Sequence, residues 1–136
     1  MNENSFSAAL GRDLRKAGAS LAWKISDRFA GGTPDMFIEG NACDLWIENK
    51  WLNPVPKRPT TMIDLCHPDK FLSYNQQDWL IRRHQNRGDS AVILAGEPGC
   101  VYFPGLSWQT PISTGEFLER AIPRKKLIQL ILQVID

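Results

Sequence analysis

The stretch from residue 31 to residue 51 constrains the fold of this chain most. Two apolar runs, Met36 to Ile38 and Leu45 to Ile47, flank a Gly40-Asn41 turn signal. Apolar runs on either side of such a turn are typical of a tight antiparallel hairpin. A turn centred near residues 41 and 42 pairs residues whose numbers sum to about 83, because opposed positions are equidistant from the centre of a hairpin. The pattern therefore predicts the register of the hairpin as well as its position.

This register brings three charged side chains to one end of the hairpin. Asp35 faces Glu48, and Lys50, two residues further on, points to the same side as Glu48 because side chains alternate between faces. Two carboxylates about 5 Å apart repel each other by roughly 3 kcal/mol at an effective dielectric constant near 20. A divalent cation would remove that repulsion. The alternative is a structural ion pair, in which Lys50 offsets part of the repulsion without any metal.

The order of these residues resembles the signature of a nuclease superfamily. Pro34-Asp35 followed by Glu48-Asn49-Lys50 is similar to the PD-(D/E)XK pattern, in which an acid starts one strand and acid-x-Lys lies on the next. The resemblance implies a restriction-endonuclease-like α/β fold, an αβββαβ core whose central mixed sheet is flanked by helices. It also implies a Mg²⁺-dependent endodeoxyribonuclease, with Mn²⁺ as a substitute metal. Asp35, Glu48 and the backbone carbonyl of Asn49 would bind the metal. Lys50 would position the attacking water or neutralise developing negative charge.

A predicted first helix supplies a further candidate ligand. Its apolar residues recur at helical spacing: Phe6, Leu10, Leu14 and Ala17. Ser5 or Ser7 is the expected N-cap, and Gly18 is the expected stop. In this superfamily the first helix often supplies an extra acid, and Glu3-x-x-Phe6 resembles the Glu-x-x-Phe start of several phage and repair nucleases. Glu3 is therefore the preferred extra ligand, with Asp13 and an ordinary exposed role for Glu3 as the alternatives.

Residues 71–87 predict a second helix, with Ser73 or Asn75 as its N-cap. The Gln76-x-x-Trp79-Leu80 segment resembles the glutamine-bearing helix of virus-type replication-repair nucleases. In that branch the glutamine reaches toward the active site or the bound phosphate, which makes Gln76 a further catalytic candidate. Gln77 is the alternative, because a shift of one residue turns a helical side chain by about 100°.

Positive charge is concentrated just after the hairpin, although the whole chain has a net charge of only +1. Residues 50–87 hold seven basic and three acidic groups, whereas the segment before holds five and seven and the segment after holds four and five. A basic segment next to the site is where a nuclease would contact phosphates, and a solvated face is the alternative. Proline-rich residues 51–70 predict a loop over the active site that contacts DNA, and a merely irregular connection is the alternative. The predicted DNA contacts are Lys57 and Arg58 in this loop and Arg83 and Arg87 on the second helix.

The remaining apolar segments complete the predicted core. Ser20 to Ile25 predicts a first strand, and the wholly apolar run from Ala91 to Ala95 predicts a central strand buried on both faces. The order of helix, three strands, helix and strand matches the αβββαβ core of the superfamily. The resemblance therefore covers about residues 3–95.

Residues 96–136 are predicted to be a C-terminal extension of the same nuclease domain, which spans residues 1–136. Val101 to Phe103 predicts an edge strand, and Thr114 to Ala121 predicts a small helix. Pro123 opens a last helix with a broad apolar face, which Ile128 and Leu132 widen. The residues of this face at helical spacing are Leu127, Leu130, Ile131, Val134 and Ile135. That face either packs on the chain's own sheet or forms a homodimer interface.

Composition places the chain among ordinary globular domains, with 43% apolar and 23% charged residues. No apolar run approaches the roughly 18 residues that span a bilayer, and the polar start does not resemble a signal peptide. A location in the cytoplasm, of bacteria or of phage-infected cells, is therefore expected. Three widely spaced cysteines argue against both a disulfide framework and a structural zinc site.

The expected substrate follows from the size of the predicted domain. A minimal nuclease without an added base-reading module is similar to stand-alone Holliday junction resolvases and structure-selective phage nucleases. Two active sites on a symmetric dimer can nick opposed strands of a four-way junction, so branched DNA and a second copy of the chain are the expected partners. A flap, nicking or restriction-like nuclease is one alternative, and a non-catalytic DNA-binding module with this fold is another. The sequence carries no Walker phosphate loop, nucleophile elbow or His-Glu-x-x-His motif.

Overall fold

The computed structural model describes residues 1–25 and 31–136, which form a mixed five-stranded sheet flanked by helices and a second sheet of two short strands. The elements in chain order are α1 (Glu3–Lys16), β1 (Leu21–Lys24), β2 (Met36–Glu39), β3 (Leu45–Leu52), β4 (Met62–Ile63), α2 (Tyr74–Gln85), β5 (Asp89–Gly96), β6 (Gly99–Pro104), β7 (Ile112–Ser113), α3 (Thr114–Arg120) and α4 (Arg124–Ile135). A short 3-10 helix, Ser107–Gln109, lies between β6 and β7. None of the helices in these ranges is long and apolar enough to cross a membrane.

The β2–β3 hairpin has the register that the sequence predicts. The paired residues are Met36 and Ile47, Phe37 and Trp46, and Ile38 and Leu45, so the numbers of each pair sum to 83. Gly40 is required at the turn, because a Cβ atom there would collide with Ile135 and with the carbonyl oxygen of Cys43. The hairpin therefore places the residue before β2 next to the middle of β3.

β5 is the central strand of the main sheet. It pairs in parallel with β3 and antiparallel with β6, which gives the order β1-β2-β3-β5-β6. Its residues from Ser90 to Gly96 are buried, as expected for a strand covered on both faces. The predicted mixed sheet, central strand and edge strand are confirmed. The segment predicted as an extension contributes β6 to this sheet.

Helices pack on both faces of the sheet. α1 and α4 cover one face, where Leu10 and Leu127 belong to the same buried cluster as Ile93. α2 and the 3-10 helix cover the other face, where Leu80 and Trp108 join a second buried cluster. Full burial of side chains of this size stabilises the fold by about 1.5–3 kcal/mol each. These two layers hold the strands that carry the charged residues.

The apolar face of α4 packs against the chain's own sheet, which is the first of the two predicted alternatives. Its buried residues are Leu127, Ile128, Ile131 and Ile135. Val134, which the sequence pattern placed on the same face, is 39% exposed. The face of α4 that meets the sheet is thus narrower than the apolar pattern indicated.

The start of α1 differs from the prediction. Asn2, and not Ser5 or Ser7, caps the helix: its side chain accepts a hydrogen bond from the Ser5 amide, and the Ser5 hydroxyl accepts one from the Asn2 amide. Asparagine is as good a cap as serine, so cap preference alone does not choose among the three. The earlier start places Glu3 in the first turn, where the helix dipole favours a carboxylate. For α2, the predicted cap Ser73 is confirmed.

The proline-rich segment after β3 is tied to the C-terminal part of the chain. Within it, β4 pairs with β7. The Thr114 amide donates a hydrogen bond to the Thr61 carbonyl at 2.8 Å, and the Gly115 amide donates one to the Pro59 carbonyl at 2.9 Å. The segment predicted as one loop therefore contains a short strand and is anchored at the start of α3.

Candidate active site

Three carboxylates from separate elements meet at one point. Glu3 lies in the first turn of α1, Asp35 directly precedes β2, and Glu48 lies within β3. One oxygen from each residue lies within 4.8 Å of the others. Within residues 1–25 and 31–136, no other group of three acidic, histidine or cysteine side chains is close enough to share a metal ion. We call these three residues the carboxylate cluster.

Lys50 lies against the carboxylate cluster. Its Nζ atom is 3.5 Å from Oε1 of Glu48 and 3.9 Å from Oε1 of Glu3. Lys50 and Glu48 are alternate residues of β3, which places them on one face of the sheet. Only 10% of the Lys50 side chain and 1% of the Glu48 side chain is exposed, so solvent screens their interaction weakly. The hairpin thus brings together the three charged residues as the sequence predicts.

Hydrogen bonds fix the two carboxylates that the hairpin supplies. The Asn49 amide donates to Oδ2 of Asp35 at 2.9 Å. The side-chain amide of Gln76 donates to Oε1 of Glu48 at 3.1 Å. Each hydrogen bond restricts the rotation of one carboxylate group. The second oxygen of that carboxylate therefore points in a defined direction.

Of the two candidate glutamines on α2, Gln76 reaches the cluster. Its side-chain oxygen accepts a hydrogen bond from the Ser73 amide at 2.9 Å, which completes a capping box and holds the side chain in place. Gln77 instead donates to the carbonyl oxygens of Cys66 and Leu72. Gln77 therefore holds the segment before α2, while Gln76 contacts the site.

Burial raises the pKa of Glu48 well above its ordinary value of 4.5, and the charge of Asp35 raises it further, while Lys50 lowers it. Burial also raises the pKa of Glu3, which Lys50 opposes and Asp35 reinforces. Oε2 of Glu48 is buried and has no hydrogen-bond partner among the described residues. A negative charge on this buried oxygen is costly, and a proton or a cation at this point would neutralise it.

The raised pKa of Glu48 predicts that the metal-free protein loses stability as the pH rises. Because the folded state holds this proton more tightly, it binds more protons than the unfolded state once the pH exceeds 4.5. The stabilisation is present below that pH and is lost as the pH rises through the folded-state pKa. In a chelating buffer, we expect the melting temperature of the wild type to fall over this window relative to Glu48→Gln, measured by circular dichroism. Parallel curves for the two proteins would contradict this prediction.

The orientation of α1 depends on contacts that the sequence did not indicate. The Asn49 side chain donates a hydrogen bond to the Ser7 hydroxyl at 3.0 Å, and both residues are buried. Ser7 lies one helical turn after Glu3, so this bond fixes how closely Glu3 approaches β3. Asp13, the alternative acid, binds Arg124 of α4 at 2.9 Å. The structure thus places Glu3, and not Asp13, in the cluster.

The predicted DNA-contacting residues lie outside the cluster. Lys57 and Arg58 are exposed between β3 and β4. Arg83 is half-buried near the C-terminal end of α2, and the exposed Arg87 follows that helix. Seven residues separate Arg83 from Gln76, which corresponds to about 10 Å along the helix axis.

Among solved structures, the chain is similar to Hjc, a Holliday junction resolvase from the archaeal hyperthermophile Archaeoglobus fulgidus. The TM-score is 0.57 at 18% sequence identity, and the match covers 93% of this chain and 95% of the resolvase chain. The chain has the fold of this resolvase. The restriction-endonuclease-like fold and the resemblance to stand-alone resolvases are therefore confirmed at the level of architecture. No protein-family model matches the sequence, and no curated protein matches it significantly.

Proposed function

We propose that this chain is a metal-dependent endonuclease that hydrolyses phosphodiesters in branched DNA, with a four-way junction as its preferred substrate. The observation that carries the proposal is the convergence of Glu3, Asp35 and Glu48 beside Lys50. The fold shared with a Holliday junction resolvase supports the choice of substrate. The chain would act as one nuclease domain in the cytoplasm, and as a homodimer, because two sites are needed to nick two opposed strands.

The carboxylate cluster fits a divalent cation. Its three acids lie within 4.8 Å of one another, and Oε2 of the buried Glu48 lacks a hydrogen-bond partner among the described residues. The donors are all oxygens, which Mg²⁺ prefers and Mn²⁺ accepts. Asp35, Glu48 and the backbone carbonyl of Asn49 would hold the ion, and Glu3 would complete the set. When bound, the cation would supply Lewis-acid activation of water and a positive charge beside the phosphate.

The other residues of the site have roles that follow from their contacts. The Lys50 ammonium group is held beside two carboxylates in a weakly screened position, so it would donate a hydrogen bond to the attacking water or to the phosphate as negative charge develops. Gln76 donates to one oxygen of Glu48, which leaves the other oxygen free to face a ligand. We therefore assign Gln76 the role of a positioning residue for Glu48. Basic residues outside the cluster would contact the DNA backbone: Lys57, Arg58, Arg83 and Arg87.

A cleavage assay on a panel of DNA shapes tests the proposal. The purified protein is incubated with a four-way junction, a flap, a nicked duplex and a linear duplex, each with Mg²⁺, with Mn²⁺ or with a chelator. We expect paired nicks in the junction with either metal and no product with the chelator. Faster cutting of the flap or of the linear duplex would favour the flap, nicking or restriction-like alternative. Salt-sensitive binding without any cleavage would favour a non-catalytic DNA-binding module.

A further inference from the structure

A row of aromatic side chains crosses the sheet beside the carboxylate cluster. Trp23 of β1 pairs in register with Phe37 of β2, and the Phe37 ring centroid is 4.9 Å from that of Trp46 on β3. The Trp46 ring is in turn 5.1 Å from the ring of Trp79 on α2. We call these four residues the aromatic stripe. At its α2 end, Cζ of Arg82 lies 5.5 Å from the centroid of the Trp79 ring, which adds a cation to the row.

The aromatic stripe lies on the same face of the sheet as the catalytic candidates. Trp46 and Glu48 are alternate residues of β3, so their side chains share a face. Asp35 precedes β2 and stands two positions before Phe37. Two residues of a strand span about 7 Å, so the rings begin one such step away from the carboxylates. A nucleic-acid strand at the carboxylate cluster would therefore meet the aromatic rings next.

The four rings of the aromatic stripe are only partly buried. Trp23 is 58% exposed, and the other three rings are half-buried. An aromatic side chain can bury about 150–250 Å² of surface, and a ring that stays at the protein surface leaves much of that area exposed to water. A row of such rings marks an interaction site rather than part of the core. Aromatic faces next to basic groups are the arrangement that stacks the bases of single strands, whereas paired bases in a duplex have no free face to offer.

We propose that the aromatic stripe stacks unpaired nucleotides of the branched DNA substrate beside the phosphodiester that is cut. This inference rests on the proposed function, because it assigns the stripe to the same substrate. The charge around the stripe gives the direction of the bound strand. Arg82 lies over the ring of Trp79, and Arg83 and Arg87 lie further along α2 or just after it. The phosphates of the bound strand would therefore follow α2.

Binding of oligothymidylate in a chelating buffer tests the inference without any cleavage. Fluorescence anisotropy is measured for labelled oligothymidylate and for a duplex of the same length. We expect Trp23→Ala to weaken oligothymidylate binding by roughly tenfold, within the range for loss of one base–aromatic stack, and to leave duplex binding unchanged. Trp23→Phe keeps a ring and should restore most of the affinity. The matched control is Leu118→Ala, an exposed apolar residue on α3, which should bind both probes as the wild type does.

The outcomes separate this inference from the proposed nuclease activity. Wild-type affinity of Trp23→Ala for oligothymidylate would overturn the inference, and junction cleavage by the same preparation would show that the proposed function stands. Stripe-dependent oligothymidylate binding in a protein that cuts no DNA would show that the stripe stacks bases, but it would refute the nuclease and overturn the placement of those bases beside a phosphodiester that is cut. Sedimentation velocity measures the dimer fraction and so tests the other possible occupant of the stripe, a second copy of the chain. A lower dimer fraction in Trp23→Ala with unchanged oligothymidylate affinity would assign the stripe to an interface between copies and overturn the inference.

Discussion

Replacing Glu48 by glutamine is expected to abolish DNA cleavage while leaving the protein folded. Glutamine has nearly the same shape, so the substitution removes the charge of a side chain that is only 1% exposed without opening a cavity. The proposed cation would lose a central ligand. Metal ions contribute several kcal/mol to transition-state stabilisation, so we expect a rate loss of about 10³-fold or more. Junction cleavage under single-turnover conditions measures this loss.

Two further measurements make the Glu48→Gln experiment specific. Isothermal titration with Mg²⁺ should show weaker binding in the variant, because the loss of activity is attributed to the metal site. The metal-free variant should be at least as stable as the wild type above pH 4.5, since it no longer buries a carboxylate with a raised pKa. Glu116→Gln is the matched control, because the Glu116 side chain is exposed on α3 and forms a surface ion pair with Arg120. Wild-type cleavage by Glu48→Gln would remove the basis of the proposed mechanism.

The part of the site that could be predicted from the sequence is the part that local rules determine. A turn signal between two apolar runs sets the register of a hairpin, and the register then sets which residues face each other. For that reason the proximity of Asp35, Glu48 and Lys50 followed from their positions relative to Gly40. The buried central strand β5 followed in the same way from a short run of apolar residues.

The rest of the site depends on how helices pack against the sheet, which no local rule determines. Gln76 and Gln77 differ by about 100° around α2, and only the docking of that helix decides which one meets Glu48. Whether Glu3 or Asp13 joins the cluster depends similarly on how α1 packs against the sheet. That packing includes the buried hydrogen bond between Ser7 and Asn49, which joins residues far apart in the sequence. A serine near the start of a helix is more simply interpreted as an N-cap, so the contact of Ser7 with Asn49 could not be predicted from the sequence pattern.

The aromatic stripe illustrates the same division. Phe37 and Trp46 face each other in the hairpin, so their contact follows from the predicted register. Trp79 joins them only because α2 packs on this face of the sheet. In the sequence, Trp79 belongs to a motif around Gln76. The three-dimensional arrangement instead links it to residues of two other elements, and this arrangement is what suggests a stacking surface.

Replacing Lys50 by methionine is expected to reduce cleavage by about 10²–10³-fold, the usual cost of removing one donor that stabilises developing charge. Methionine keeps the unbranched apolar stem and removes the ammonium group, so the packing of β3 should persist. The metal site should respond in the opposite direction from Glu48→Gln. Because Lys50 lowers the pKa values of Glu48 and Glu3 in the wild type, its loss leaves the carboxylate cluster more negative once ionised. Mg²⁺ should then bind at least as tightly as in the wild type at alkaline pH.

Cleavage by Lys50→Met at saturating Mg²⁺ distinguishes a catalytic lysine from a purely structural one. If Lys50 only neutralised the carboxylates, saturating Mg²⁺ would take over that role and restore cleavage in Lys50→Met. If Lys50 acts on the attacking water or on the phosphate, saturating metal fills the site and cleavage remains low. Isothermal titration and single-turnover cleavage of the same preparation separate these cases. Lys125→Met, at an exposed position on α4, controls for the general loss of one positive charge. Recovery of the wild-type rate at high Mg²⁺ would assign Lys50 to charge balance alone.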